Sequence, residues 1–323
     1  MNRALLIGLL LVLLVATVVI CLGIGPTGIS YKFLADLLNI QNDTVIYLVR
    51  LPRILGALLA GLGLAAAGCV LQAILRNPLA EPYTLGISGG SALGVTIVLI
   101  TPFLAGASIS LALAAFLGAI ISVSLVYVIS ARHRFSVSSL ILAGVILSFI
   151  CSSLVLLIFS ISRPTAIQSA LFFLMGNFSS LNYSLIKIVT APILLSIGLL
   201  VLFARDIDVL TLGDEKASHL GISANALRRI LFLIASLITG CCVAMCGMVG
   251  FVGLMIPHIM RSIVGPRQQM LIISSAISGA IFLIICDTLA RTIIAPAELP
   301  VGVITGIIGG LFFIGIITNA KDI

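Results

Sequence analysis

Apolar runs, punctuated by proline, glycine or charge, repeat along the whole chain. They fall at residues 4–24, 50–74, 85–103, 108–130, 138–160, 182–203, 229–248, 251–264, 270–290 and 301–318. A helix needs about 20 apolar residues to cross a hydrocarbon core, and all but the short eighth run come close to that length. The pattern predicts an all-α integral membrane protein with about ten transmembrane helices in one bundle. We read a single domain over residues 1–323, with one long hydrophilic loop at about 204–228. The first run follows Arg3 and lacks a clear small-x-small cleavage pattern before Gly25-Pro26, so it is read as a span rather than a leader.

Composition agrees with that reading. Of the 323 residues, 61% are hydrophobic and 8% charged, and the mean hydropathy is +1.35. The net charge of +7 contains no basic run long enough for nucleic acid, so its position along the chain is what informs. With the N-terminus inside, Arg3, Arg76, Arg132, Arg134, Arg205, Lys216, Arg228, Arg229, Arg261, Arg267 and Lys321 fall in cytoplasmic segments, 11 of the 17 cations. Lys32, Arg50, Arg53, Arg163, Lys187 and Arg291 fall outside, and the bias predicts both termini in the cytoplasm.

Small residues recur four apart in several spans: Gly86, Gly90 and Gly94; Gly302, Gly306 and Gly310; Ala57 with Gly61, and Gly63 with Ala67. Such rows let helix backbones approach closely where lipid gives no hydrophobic drive to associate. The last row suits either packing or the lining of a passage. The seven cysteines lie in apolar stretches without CxxC spacing and read as small packing residues, with no metal implied.

Chemistry-bearing residues are few. No GxxxxGK[ST] phosphate loop occurs, so ATP, if it drives the protein, binds elsewhere. Intramembrane acids are scarce; Asp287 stands four residues before Arg291 and is read as its helical ion-pair partner. In the loop ARDIDVLTLGDEKASHLGISANALRR, Thr211 and Asp214 have the spacing of a capping box, Gly221 is placed to end a short helix, and Ser223 to cap the next. That helix is either a docking surface for a cytoplasmic protein or a solvated connector. RNPLAEPYTLGISGG puts two prolines and Glu81 at the inner end of the second span, where the prolines mark a tight re-entrant connection or a constriction. His258 reads as a structural histidine. Arg50 and Arg53 flank Pro52 at a helix N-terminus, where the dipole disfavours cations, on the side that the positive-inside rule depletes. Snorkelling to lipid phosphate and pairing with an acidic partner outside both fit.

LVRLPRILGALLAGLGLAAAGCVLQAILRNPLAEPYTLGISGGSALG, LGDEKASHLGI, GMVGFVGLMIPHIMR and DTLARTIIAPAELPVGVITGIIGG, taken in order, resemble the transmembrane subunits of bacterial ABC importers for iron siderophores, haem and cobalamin. The resemblance covers nearly the whole chain. It implies a multi-pass protein of a bacterial or archaeal cytoplasmic membrane that pairs with a second copy or a close paralogue. It implies two cytoplasmic P-loop ATPases that hold ATP and Mg, an extracytoplasmic binding protein, and a metal-chelate substrate. No cofactor and no catalytic residue is implied on this chain. By the resemblance, Leu212, Gly213, Asp214, Glu215, Ala217, Leu220 and Gly221 form the coupling helix that seats on the ATPase. Arg50, Arg53 and Arg291 match positions that meet acidic residues of the binding protein. Asn77, Leu79, Val137 and Ser138 map to the cytoplasmic gate, more loosely at Val137, where relatives often carry a hydroxyl. The row Gly302, Gly306 and Gly310 falls on a pathway helix.

The expected function is permeation by alternating access in an ATP-driven importer, first for an iron-siderophore, with cobalamin or haem as the runner-up. An ion-coupled secondary carrier is the rival, and the shortage of a midplane carboxylate counts against it. A non-transporting membrane anchor is a further rival.

Overall fold

The computed structural model describes residues 3–25, 28–29, 45–100, 111–179 and 181–319. Lys32 and Lys321, counted above for topology, lie outside these residues. The described chain is helical apart from one short hairpin. Helix α1 (Arg3–Gly23) runs into that hairpin, β1 (Ile24–Gly25) paired antiparallel with β2 (Gly28–Ile29). A π-helical turn, Ile46–Arg50, leads into α2 (Leu51–Leu75), and a 3-10 turn, Pro82–Leu85, leads into α3 (Ile87–Ile100). Then come α4 (Leu111–Arg132), α5 (Val137–Ser160), α6 (Pro164–Leu174) and α7 (Tyr183–Leu202). Two short helices, α8 (Ala204–Thr211) and α9 (Asp214–His219), precede α10 (Ala224–Cys246). The chain closes with α11 (Val252–Val264), α12 (Gln268–Thr292) and α13 (Val301–Asn319).

Each of the ten apolar runs is a helix. Eight are long and apolar enough to cross a membrane; α3 and α11 are shorter. The sequence reading left out α6, an 11-residue helix that starts with Pro164 in its first turn.

Helices α2, α10 and α12 form the centre, with 83%, 72% and 67% of their most apolar stretches buried. The reason lies in glycine. A Cβ on Gly61 would stand 2.3 Å from the Gly279 carbonyl oxygen, so α2 and α12 touch backbone to backbone. A Cβ on Gly68 would meet the Gly253 carbonyl at 2.0 Å, which seats α11 on the same face of α2. Gly90 and Gly94 pack α3 against Gly118 and Ala114 of α4 in the same way. The outer row divides: Gly302 is pressed against the Met175 and Met248 carbonyls, whereas Gly306 and Gly310 face open space. All seven cysteines are buried and free, and His258 sits edge-on to Phe312 and Phe313 of α13.

The connection after α2 folds back into the bundle. A Cβ on Gly253 would lie 2.8 Å from both the Leu64 carbonyl and Pro82 Cδ. Leu64 is eleven residues from the end of α2, about 16 Å at 1.5 Å per residue, so Glu81 and Pro82 lie near mid-depth. This corrects the placing of Glu81 at the inner end of the span. Its carboxylate accepts the Phe251 N–H at 2.5 Å while the Tyr83 hydroxyl accepts the Val249 N–H at 3.1 Å, strapping the turn before α3 to the turn before α11.

Gly61→Ala forces α2 and α12 apart and is expected to cost about 1–3 kcal/mol, the usual range for overpacking. Gly306→Ala meets nothing within 4 Å and is expected to leave stability unchanged or slightly raised. Thermal unfolding in detergent compares the two, and equal melting would contradict the seam.

Candidate coupling and docking sites

Helix α9 is built to stand apart. Gly213, at its N-cap, has φ +119°, and Gly221, just past its end, has φ +81°, both in the range that favours glycine. The Ile222 N–H reaches back to the Ala217 carbonyl at 2.9 Å and closes the last turn. Asp214 and Glu215 occupy its first turn, where the exposed N–H groups favour negative charge. Only Ala217 is buried. Leu212 and Leu220 are 57% and 62% exposed beside exposed Glu215 and Lys216, an apolar pair in a hydrophilic loop. The expected capping box does not form, because Thr211 belongs to the last turn of α8 and donates its hydroxyl to the Asp208 carbonyl at 2.7 Å. Ser223 occupies the N-cap of α10 without a side-chain cap bond.

One carboxylate oxygen fastens α9 to the bundle. Asp214 Oδ1 accepts from Arg228 Nη2 at 2.8 Å and also from Arg76 Nη2. Arg228 is fully buried and donates from Nη1 to the Phe135 carbonyl at 3.0 Å and to Asn225 Oδ1 at 3.3 Å. Arg76, in the left-handed region at φ 47° just past α2, also donates to the Leu210 carbonyl at 3.2 Å. Asp214 thereby binds the residue next to Asn77 on one side and the turn before Val137 and Ser138 on the other. Around the first, Asn77 Oδ1 accepts the Leu79 N–H at 2.9 Å, and Leu79 points outward with 61% exposure. Around the second, Arg134 and Phe135 both have φ 54°, a strained turn held by Phe135 packing on Tyr127 and Phe232 and by Ser136, whose hydroxyl caps α5.

The sequence reading missed Arg76, Arg228 and Phe135. As sequence, the arginines are two more basic residues at helix ends; only the carboxylate between them tells that they converge.

At the opposite end, Arg50, Arg53 and Arg291 do come together, but they are buried at 6%, 4% and 2% exposure. Arg50 Nη1 donates to the Leu22 carbonyl at 2.9 Å and Arg291 Nη2 to the Cys21 carbonyl at 2.7 Å, so both tie down the end of α1. Arg53 bonds Asp287 at 3.0 Å and Glu298 at 2.7 and 2.9 Å. Asp287 is therefore paired with Arg53, not with Arg291 as the helical spacing suggested. The reason is the antiparallel seam: Arg53 and Asp287 each lie eight residues along from the Gly61–Gly279 contact, in the same direction, and so arrive opposite one another. Arg291 is drawn to the carbonyls that α1 leaves unsatisfied at its C-terminus. Over these five side chains the charge is three positive and two negative, a net +1, and Glu298 is the member that reaches solvent.

Residues 12–319 match the model of the FecCD transport family. The chain belongs to that family. It is 33% identical to the hemin transport system permease protein of Yersinia pestis, covering 98% of this chain and 96% of that one. It is 38% identical to the Fe(3+)-citrate import system permease protein of Bacillus subtilis, covering 95% and 92%. A solved structure described as a metal-chelate type ABC transporter in an inward-facing conformation superposes with a TM-score of 0.87 at 34% identity, over 98% of this chain and 100% of that one. As a member of the FecCD family the protein is a multi-pass transport component rather than an enzyme.

Removing one partner from the buried pair at the mouth leaves an uncompensated charge. Asp287→Ala is expected to destabilise the folded protein by about 3–5 kcal/mol, and Arg53→Met with Asp287→Leu together by much less. Unfolding of the single and double variants checks this; an additive double variant would contradict the pairing.

Proposed function

We propose that this chain is the membrane-spanning permease of an ATP-driven importer for a metal chelate, and first among these an iron-siderophore. The observation that carries the mechanism is Asp214 Oδ1, shared between Arg76 and Arg228. Helix α9, with Leu212 and Leu220 outward, seats on a cytoplasmic P-loop ATPase that holds ATP and Mg. Movement of α9 then pulls Arg76 and Arg228 together, and with them Asn77, Leu79, Val137 and Ser138. Two such chains meet through the apolar faces of α5 and α13, where Phe149 is 71% and Leu311 64% exposed, and enclose a path beside Gly306 and Gly310. Both termini and α9 lie on the cytoplasmic side of the cytoplasmic membrane.

The substrate needs no covalent step on this chain. Transport follows from the different affinities of nucleotide, binding protein and chelate for inward and outward states. The hemin permease of Yersinia pestis supports haem as the second reading, with cobalamin beside it. The rival is a secondary carrier, which would move its solute without an ATPase; of the acids in the bundle, Glu81 at mid-depth holds the Phe251 N–H and Asp287 at the mouth is bonded to Arg53.

The binding protein approaches the Arg50, Arg53 and Arg291 end through long-range attraction, to which the five-residue cluster of these arginines with Asp287 and Glu298 contributes a net +1. Burial makes reversal of these arginines a test of folding rather than of docking. Glu298→Gln instead raises the net charge to +2 while leaving the three arginines in place. It is expected to speed association of the loaded binding protein at low salt, by severalfold, with the gain lost at high salt. An unchanged rate at both salts would contradict attraction at this end.

Asp214→Ala with Glu215→Ala is expected to lower ATP-driven chelate uptake in vesicles at least tenfold, through release of the ATPase or hydrolysis without uptake. Coupled uptake at the parent rate would contradict the assignment of α9. Uptake by the chain alone under an ion gradient would contradict the importer.

A further inference from the structure

Where α4 ends and α5 and α10 begin, three arginines are left without a carboxylate. Arg132 and Arg134 are exposed in the turn between α4 and α5, with exposed His133 between them. The Arg229 guanidinium lies over the Phe135 ring of the same turn, 5.1 Å from its centroid. The ion pairs among the described residues use Arg53, Arg76 and Arg228, and Asp214 is already held by the last two. Arg132 and Arg134 stand two residues apart and Arg229 covers the ring of the next residue, so three positive charges gather on one turn with no carboxylate paired to them among the described residues.

An apolar groove starts one helical turn from Arg229. Its walls are Phe116, Ile120 and Val123 of α4 and Leu233 and Leu237 of α10, enclosing about 190 Å³. A second hollow of about 440 Å³ continues from it between Phe116, Leu237 and Cys241 and reaches Pro192 of α7. From Leu233 to Ala244 the groove follows α10 for eleven residues, about 16 Å. One leaflet of hydrocarbon is about 15 Å deep.

The geometry points to a bound anionic phospholipid, its phosphate among Arg132, Arg134 and Arg229 and one acyl chain laid along α10 in the groove. Guanidinium forks match phosphate oxygens, and basic pockets between membrane helices select anionic headgroups. An acidic protein would meet the arginines and leave the groove empty. A second copy would fill the groove but bring arginines, not an anion, to that end. The site does not depend on which leaflet faces the cytoplasm, nor on the importer reading.

The test is lipid retention by the purified full-length chain, read by native mass spectrometry, with phosphatidylglycerol and phosphatidylcholine of equal chain length. The parent protein is expected to keep phosphatidylglycerol at least tenfold better. Arg132→Gln, Arg134→Gln and Arg229→Gln together should bring the two lipids level. Ser124→Phe, which fills the groove from an exposed position of α4 and leaves the arginines untouched, should cut phosphatidylglycerol retention at least fivefold. No preference in the parent protein would overturn the site whatever the variants do. Full retention in Ser124→Phe would reduce it to surface attraction and also overturn it. A Ser124→Phe chain that loses a dimer and keeps its lipid would give the groove to a second copy.

Discussion

Asp214 Oδ1 is the point on which one end of this protein is organised. Two arginines from different parts of the chain end on the same oxygen, and each carries a separate segment with it: Arg76 the turn after α2, Arg228 the turn before α5. Charge-assisted hydrogen bonds of this kind contribute about 1.5–3 kcal/mol when shielded, less here because Asp214 is half exposed. The geometry matters more than the sum. Arg228 is fully buried, so without its carboxylate it would be a cation in a low-dielectric site, and α9 cannot move far without either taking the arginine along or leaving it uncompensated. A six-residue helix on the surface is thereby tied to two segments of the bundle through one oxygen.

The opposite end uses the same chemistry for rigidity. Arg50 and Arg291 satisfy carbonyls at the end of α1, and Arg53 bridges Asp287 and Glu298. Between the two ends runs the seam of α2 and α12, where glycine lets backbones touch at Gly61 and Gly279. The central pair is thus anchored by buried ions at one end and tied through Asp214 to a short surface helix at the other.

Much of this was legible in the sequence, for physical reasons that can be named. Apolar runs of membrane length disclose helices because lipid tolerates little else, and Gly221 discloses the end of α9 because that position needs a conformation other residues resist, whereas its start was sought at Thr211 and lies at Gly213. What stayed hidden is what depends on long-range register. Pairing Asp287 with Arg291 is the natural local reading; the antiparallel seam gives Arg53 the better geometry. Glu81 was placed by its distance from α2 along the chain, whereas the segment folds back to mid-depth. The row Gly302, Gly306 and Gly310 looked uniform, and only packing shows that its first member is pressed on backbone and the others are open. Arg228 looked like a topology charge, although it is among the most buried side chains in the protein. Helix α6 was missed because eleven residues are too few for a span.

If Asp214 is the link, α9 and the turn before α5 move as one body. Spin labels on exposed Ser218 of α9 and on exposed His133 of that turn report the distance between them in the assembled protein, with and without nucleotide. One narrow distance that persists through both states, and that broadens when Asp214 is replaced by Asn, is the predicted result. A distance that changes with nucleotide in the parent protein, or one that stays narrow in Asp214→Asn, would contradict the claim.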